Sequence, residues 1–197
     1  MSTEPVLRLG LIGVGGATFL PELRADLRRT LRFASVDSIP VITLAQVPTA
    51  TALAPYDVLL VYGFGSSATA GPLGDALATR LAQGSGLVVD HSVGVDLTSA
   101  TATGRLVGEG WLPWTATGTR TLSRPLMQVV QPEHPVMDGV MRLRGTNDVA
   151  LLDPVRLAPG ATSLARWASG PVLAVSRQVE GTRLVGLNLH PLSSALR

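Results

Sequence analysis

The sequence predicts a single α/β domain over residues 1–197, with a mostly parallel sheet flanked by helices and an antiparallel hairpin at its C-terminal edge. Three observations carry this reading. Residues 57–94 run as buried strand, glycine-rich loop, helix, second buried strand, and a loop carrying a histidine and a serine. The strand in Asp57–Tyr62 contains VLLVY without a polar interruption, the signature of a strand covered on both faces. Near the end, Val172–Gln178 and Arg183–Leu189 are two strand-like runs separated by a turn at Gly181.

The first element is the apolar run Val6–Ile12, which ends in Gly13-Val14-Gly15-Gly16 and reads as a strand entering a tight βα turn. A dinucleotide fingerprint would need a third glycine where Thr18 stands, and an acidic residue closing a second strand. Asp37 has about the right separation, but no clear strand ends there, and Pro21 sits early in the following helix. Phe19–Phe33 has helical spacing, with Phe19, Leu20, Leu23, Leu27 and Leu31 on one side. Arg24, Arg28 and Arg32 recur at every fourth position, a pattern that reads as a solvated face before it reads as an anion site.

Val41–Leu44 reads as a short second strand and Pro48–Pro55 as a linker. Gly63 to Ser67 form the loop at the carboxyl end of the strong strand, the end where open α/β sheets bind ligands. Leu73–Leu81 is the next helix, stopped by Gly84-Ser85-Gly86. Leu87–Val89 then delivers Asp90, His91 and Ser92 to the same edge. Residues 95–125 are rich in Thr and Gly around Trp111-Leu112-Pro113-Trp114, and read as an insertion of loops or a small β-hairpin. Leu126–Val130 is a further strand, followed by a turn and one helical turn through Pro132–Val140. Asn147–Leu152 and Ala161–Trp167 precede the closing hairpin as strands.

Composition narrows the chemistry. Hydrophobic residues are 46% of the chain and charged residues 15%, against a typical quarter. Such a low charge suits a large core of apolar strands, or a surface partly covered by a partner. There is no cysteine, which removes disulfides, thiolate zinc sites and a thiol nucleophile together. All 16 basic residues are arginine, yet the net charge is only +2, so nucleic-acid binding is not expected. No charged-then-apolar leader opens the chain and no apolar run reaches spanning length, so a cytoplasmic protein without membrane contact is expected.

Three segments together resemble the class I glutamine amidotransferase-like superfamily, and within it the ThuA-like (trehalose-utilisation-like) group. They are Gly84–Ser92 (GSGLVVDHS), His134–Val140 (HPVMDGV), and the closing run Val172–Pro191 with RLVGLNLH at its end. All three histidines of the chain fall inside them. The resemblance implies a Rossmann-like or flavodoxin-like sheet and an association with sugar utilisation. It also marks departures. True amidotransferases carry a nucleophilic cysteine on a strand-to-helix elbow within a Cys-His-Glu set, so the absence of cysteine excludes glutamine hydrolysis by that route. The ThuA-like group shows an acidic pair and an aromatic after its HP segment, where this chain has only Asn147-Asp148-Val149.

The candidate catalytic residues are His91, Ser92, Asp148 and His190. Asp90-His91-Ser92-Val93-Gly94 loosely follows the G-x-S-x-G elbow with aspartate in the first glycine position. The order Ser92, Asp148, His190 matches that of α/β-hydrolase triads, although the first elbow glycine is missing. His91, His190 and Asp148 or Asp90 are the alternative convergence, as metal ligands; no local His-x-x-x-His signature supports it, and neither metal nor cofactor is expected. The bland alternative for each histidine is a hydrogen-bonded loop residue. Gly63, Gly65, Ser66 and Asp90 are candidate ligand-lining residues. Trp111 and Trp114 join them, either as a platform for a sugar ring or as a plug packing the insertion onto the core.

Two functions follow. The first is an amidotransferase-like domain without the amidotransferase reaction, acting as a binding or assembly module with a homo-oligomeric or protein partner. The second is a ThuA-like enzyme or binding protein acting on a carbohydrate-derived small molecule through its His/Asp site.

Overall fold

A computed structural model describes residues 7–15, 20–63, 66–93, 102–140 and 148–189. Chain order is β1 (Leu7–Val14), α1 (Leu20–Arg29), β2 (Phe33–Val41), β3 (Val58–Gly63), α2 (Ser67–Ala82), β4 (Gly86–Asp90) and α3 (Gly104–Gly108). Then follow β5 (Trp114–Ala116), β6 (Thr119–Ser123), β7 (Met127–Val129), a single 3-10 turn at Pro135–Met137, β8 (Asp148–Leu152) and β9 (Val155–Leu157). The chain closes with β10 (Thr162–Trp167), β11 (Val172–Val179) and β12 (Thr182–Leu187).

One eight-stranded sheet has the order β2-β1-β3-β4-β12-β11-β10-β7. Its first half is parallel, including the β4–β12 pair, while β12–β11, β11–β10 and β10–β7 are antiparallel. The sheet is therefore mixed, with few helices, rather than mostly parallel and flanked by helices throughout. The β11–β12 hairpin forms as expected around Gly181, where Glu180 and Gly181 both take positive φ, the geometry of a two-residue primed turn. It does not lie at the sheet edge: β12 inserts beside β4, and β10 and β7 extend the sheet beyond it. Two separate two-stranded ribbons, β5–β9 and β6–β8, complete the set among the described residues.

Strand alternation divides the parallel half into two cores. Leu9 and Leu11 of β1 and Tyr62 of β3 pack with Leu20 and Leu23 of α1. Ile12, Val14, Leu59, Val61, Leu87 and Val89 face the other way, onto Leu73, Leu77 and Leu81 of α2 and Leu106 of α3. Each strand here is apolar on both faces because helices cover both faces. Asp57 fixes the register at the strand starts. Its carboxylate accepts from the Arg8 amide at 2.7 Å, its own amide donates to the Arg8 carbonyl at 3.0 Å, and its carbonyl accepts from the Gly86 amide at 2.9 Å.

Several elements differ from the sequence reading. The helix predicted over Phe19–Phe33 stops at Arg29, and Leu31 sits outside it with φ 56° and 87% exposure. The second strand is Phe33–Val41, not Val41–Leu44. Asp37 lies in its middle opposite Gly10, away from the carboxyl end that a ribose-binding acid would need. Arg24 is not merely solvated, since its Nε donates to the Val36 carbonyl at 2.9 Å. The Pro48–Pro55 segment packs Leu53 into the core at 0% exposure.

Helix α2 begins at Ser67, earlier than Leu73, and carries Pro72 inside it. Its small residues have a packing reason: a side chain at Gly74 would collide with the Thr103 backbone, whose amide donates to the Ala70 carbonyl at 2.9 Å. Asp75 then accepts from the Arg105 amide at 2.8 Å at the start of α3. Among its described residues the 95–125 insertion holds α3, β5 and β6, but no hairpin of its own; β5 and β6 pair with β9 and β8 from later in the chain.

Asn188, fully buried just after β12, ties these parts together. Its Oδ1 accepts from the Leu152 amide at 2.7 Å, and its Nδ2 donates to the carbonyls of Leu152 at 2.9 Å and Val172 at 2.8 Å. Asn188→Ala removes the side-chain partner of two buried backbone groups of Leu152 and of the half-buried Val172 carbonyl. We expect it to lose about 3 kcal/mol of unfolding free energy, at roughly 1 kcal/mol or more per orphaned group. Urea denaturation checks this, and a loss under about 0.5 kcal/mol, the range of ordinary surface substitutions, would show the tie is dispensable.

Candidate functional site

The carboxyl ends of β1, β3, β4 and β12 share one edge of the sheet. The order β2-β1-β3-β4 places the topological switch between β1 and β3, the usual ligand crevice of such sheets. Gly15 and Gly63 stand on either side of it with φ of 75° and 105°. At Gly63 a side chain would run into the Val14 carbonyl, so the two strand ends approach as only glycine permits.

Asp90 ends β4 and is 1% exposed. Its Oδ1 accepts from the Ser92 amide at 3.0 Å and from the Ser92 hydroxyl, and its Oδ2 accepts from the Gly63 amide at 3.4 Å. Burial pushes the carboxyl up to about 7, against the downward pull of the Ser92 and Gly63 bonds. Charged and neutral forms are then both populated near neutrality, so this carboxyl can hold or release a proton at the sheet edge. Tyr62 lies one strand away on the same face. Burial first, and the Asp90 charge second, hold its phenol well above its ordinary value.

His91 and Ser92 follow in a turn and are buried, at 9% and 6% exposure. Burial holds the His91 imidazole below its ordinary value, and a hydrogen bond with the Leu189 backbone works the other way. The β4–β12 pairing, with Leu187 opposite Asp90, explains how Leu189 reaches it. The end of β12 and the loop after β4 thus meet. His190 itself lies outside the described residues, as do Gly65 and the 141–147 segment containing Asn147.

Asp148 stands elsewhere in its strand. It is exposed at the start of β8, opposite Ser123 of β6, and makes no hydrogen bond or ion pair to His91 or Ser92. The Asn188 contact is made by Leu152 at the far end of β8, about 13 Å along the strand at roughly 3.3 Å per residue. Ser92 is oriented by Asp90, which the triad reading assigned no such part. Ser66 precedes α2, exposed, with its carbonyl accepting from the Thr69 hydroxyl at 3.0 Å. His134 caps the 3-10 turn, its Nδ1 accepting from the Val136 amide at 3.2 Å. No cluster of three His, Cys, Asp or Glu suited to a metal ion occurs among the described residues.

The tryptophans separate. Trp114 is 2% exposed, with its six-membered ring against Gly186 of β12, so it packs the insertion onto the sheet. Trp111 is half-buried, with the Arg105 guanidinium 6.0 Å from its ring centroid. Two contributors were missed from the sequence: Tyr62 and Leu189. The first has a signal in hindsight, because it precedes Gly63 on the row that ends beside Asp90. The second contributes only backbone, which no side-chain pattern announces.

Among the described residues no helix is long and apolar enough to cross a membrane. No family model matches the chain, and no curated protein matches its sequence. Solved structures do. A ThuA-like protein from Bacteroides uniformis superposes with a TM-score of 0.64 at 14% identity, covering 99% of this chain and 89% of that one. A GMP synthase component from Thermoplasma acidophilum gives 0.54 at 11% identity, again covering 99% and 89%. A GH42 β-galactosidase from G. stearothermophilus gives 0.59 at 12% identity over 96% of this chain, which spans only 28% of the enzyme. At these identities the likeness concerns the fold, and the chain shares the fold of ThuA-like and class I glutamine amidotransferase-like proteins.

Proposed function

We propose that the chain is a ThuA-like member of the amidotransferase-like superfamily that works as a binding or assembly module and does not hydrolyse glutamine. The observation that carries this reading is the state of Ser92. It stands in the loop after β4, where the superfamily's nucleophilic cysteine belongs, and its hydroxyl donates to the carboxyl of buried Asp90. An activated nucleophile needs a base to take its proton and a route to substrate. Here the serine is buried, at 6% exposure, which denies its hydroxyl the open approach a substrate would need. The fold's recurrence as 28% of a β-galactosidase adds support for a module that serves a larger assembly.

Ammonia release from glutamine, followed by a coupled assay with purified protein, should stay at the buffer rate. Release that Ser92→Ala abolishes would refute the reading. Sedimentation at high protein concentration tests assembly, and a strictly monomeric species would remove that half of it.

The second reading is a binder of carbohydrate-derived small molecules at the same edge. The similar structures include β-galactosidases, an exo-β-1,4-mannosidase and a carbohydrate deacetylase, which motivates it. A thermal-shift screen against a sugar library should then show a hit that Asp90→Asn or His91→Ala removes. A hit untouched by either change would place sugar binding elsewhere.

A further inference from the structure

The eight-stranded sheet has two edges, β2 and β7, and they are finished differently. At the β2 edge the Gly15 amide donates to the Val41 carbonyl at 3.0 Å, so by alternation Val36, Ser38 and Pro40 turn their backbone groups outward. Two of those positions are closed. The Val36 carbonyl accepts from Arg24 Nε at 2.9 Å, and Pro40 has no N–H to give. A proline and a covering side chain both hinder the addition of another strand.

The β7 edge carries neither device. The Leu126 carbonyl accepts from the Ala168 amide and the Val130 amide donates to the Leu164 carbonyl, both at 2.8 Å, so Leu126, Gln128 and Val130 turn their backbone groups inward to β10. Those of Met127 and Val129 turn outward, with no hydrogen-bond partner among the described residues. Met127–Val129 contains no charge and no proline, and Leu126 just before it is 47% exposed.

This edge is complementary to itself. Two antiparallel β7 strands centred on Gln128 set Met127 of each copy opposite Val129 of the other, each pair exchanging its outward N–H···O bonds. Opposite residues share a face, so Met127 reaches the cavity of about 360 Å³ beside the second copy's Val129, bounded also by Pro132, Met137 and Val140. On the other face the exposed Leu126 meets Val130 of the second copy. The ends match in charge as well. Exposed Arg124 lies before β7 and exposed Glu133 after it, so antiparallel pairing brings each arginine to the end where the other copy's glutamate stands.

We propose that β7 is the seam of a two-fold symmetric dimer, in which two copies of this chain join their sheets edge to edge. The axis passes between facing Gln128 side chains, which makes the contact isologous. This seam deepens the assembly half of the module reading, on which it rests.

Sedimentation equilibrium of the full chain tests the seam. Wild type should show a concentration-dependent equilibrium between monomer and dimer. Gln128 is exposed and faces its own equivalent across the axis. Gln128→Lys and Gln128→Glu should therefore each weaken the dimer about tenfold or more, because like charges then stand face to face. An equimolar mixture of the two variants should restore association, as only a contact of residue 128 with itself would. Ser38→Lys, on the closed β2 edge, should leave the dimer intact, and unchanged thermal midpoints show that all three variants are folded. A dimer that persists in both Gln128 variants, a mixture that does not restore association, or an equal loss in Ser38→Lys overturns the seam while the module reading stands. A strictly monomeric wild type overturns the seam and the assembly half of that reading together.

Discussion

Gly63→Ala should cost about 4 kcal/mol of stability, more than backbone strain by itself accounts for. Two penalties add there. The backbone at φ 105° lies where side-chain-bearing residues are strained by roughly 1–3 kcal/mol. The new Cβ would also meet the Val14 carbonyl, which β1 holds in the sheet and which cannot retreat cheaply. Gly84 supplies the control. Its φ is 96°, but a Cβ there meets nothing within 4 Å, so Gly84→Ala should show the strain alone, about 1–3 kcal/mol. Urea denaturation of the two variants separates clash from strain. Equal losses would mean the strand ends have room to part, and would remove the argument that β1 and β3 are closed together at the switch point.

The second large effect is on pH dependence, through Asp90. Its folded value of about 7 lies above the unfolded 3.8, so between these limits the native state binds more protons than the unfolded state. Stability from this group is therefore full below about pH 4 and is lost as pH rises through 7. At about 1.4 kcal/mol per unit the swing is about 4 kcal/mol. His91 acts in the opposite sense. Its folded value is depressed, so its contribution is present above about 6.5, the unfolded value, and is lost as pH falls. The two partly cancel in the wild type. The difference between wild-type and Asp90→Asn stability curves isolates the carboxyl, and should fall by about 4 kcal/mol from pH 4 to pH 7. A flat difference curve would show that Asp90 stays charged throughout, and with it the proton-holding role at the sheet edge would go.

The sheet-edge residues were legible because they follow strands that were legible. VLLVY and GLVVD have no competing periodicity, so the positions of Gly63, Asp90, His91 and Ser92 at one edge followed from strand direction. Strand β2 was not legible, because an edge strand packs one face only and FASVDSIPV mixes buried with half-exposed residues. The first turns of α2 were hidden by SATAGPLG, which reads as a loop until Thr103 is seen resting on Gly74. Strand β9 is only Val155–Leu157, too short to show a period.

The sequence by itself determined the class of fold, the closing hairpin, the exclusion of cysteine chemistry, and which loops share an edge. These are properties of residue type and order along the chain. Tertiary structure alone decided three further things. It inserted the hairpin beside β4, because pairing between strands nearly a hundred residues apart is set by global packing and not by local pattern. It joined Ser92 to Asp90 and left Asp148 exposed on its own ribbon, because side-chain partners depend on where strands are laid. It raised the Asp90 carboxyl to about 7, because the cost of a charge is set by the water its neighbours exclude.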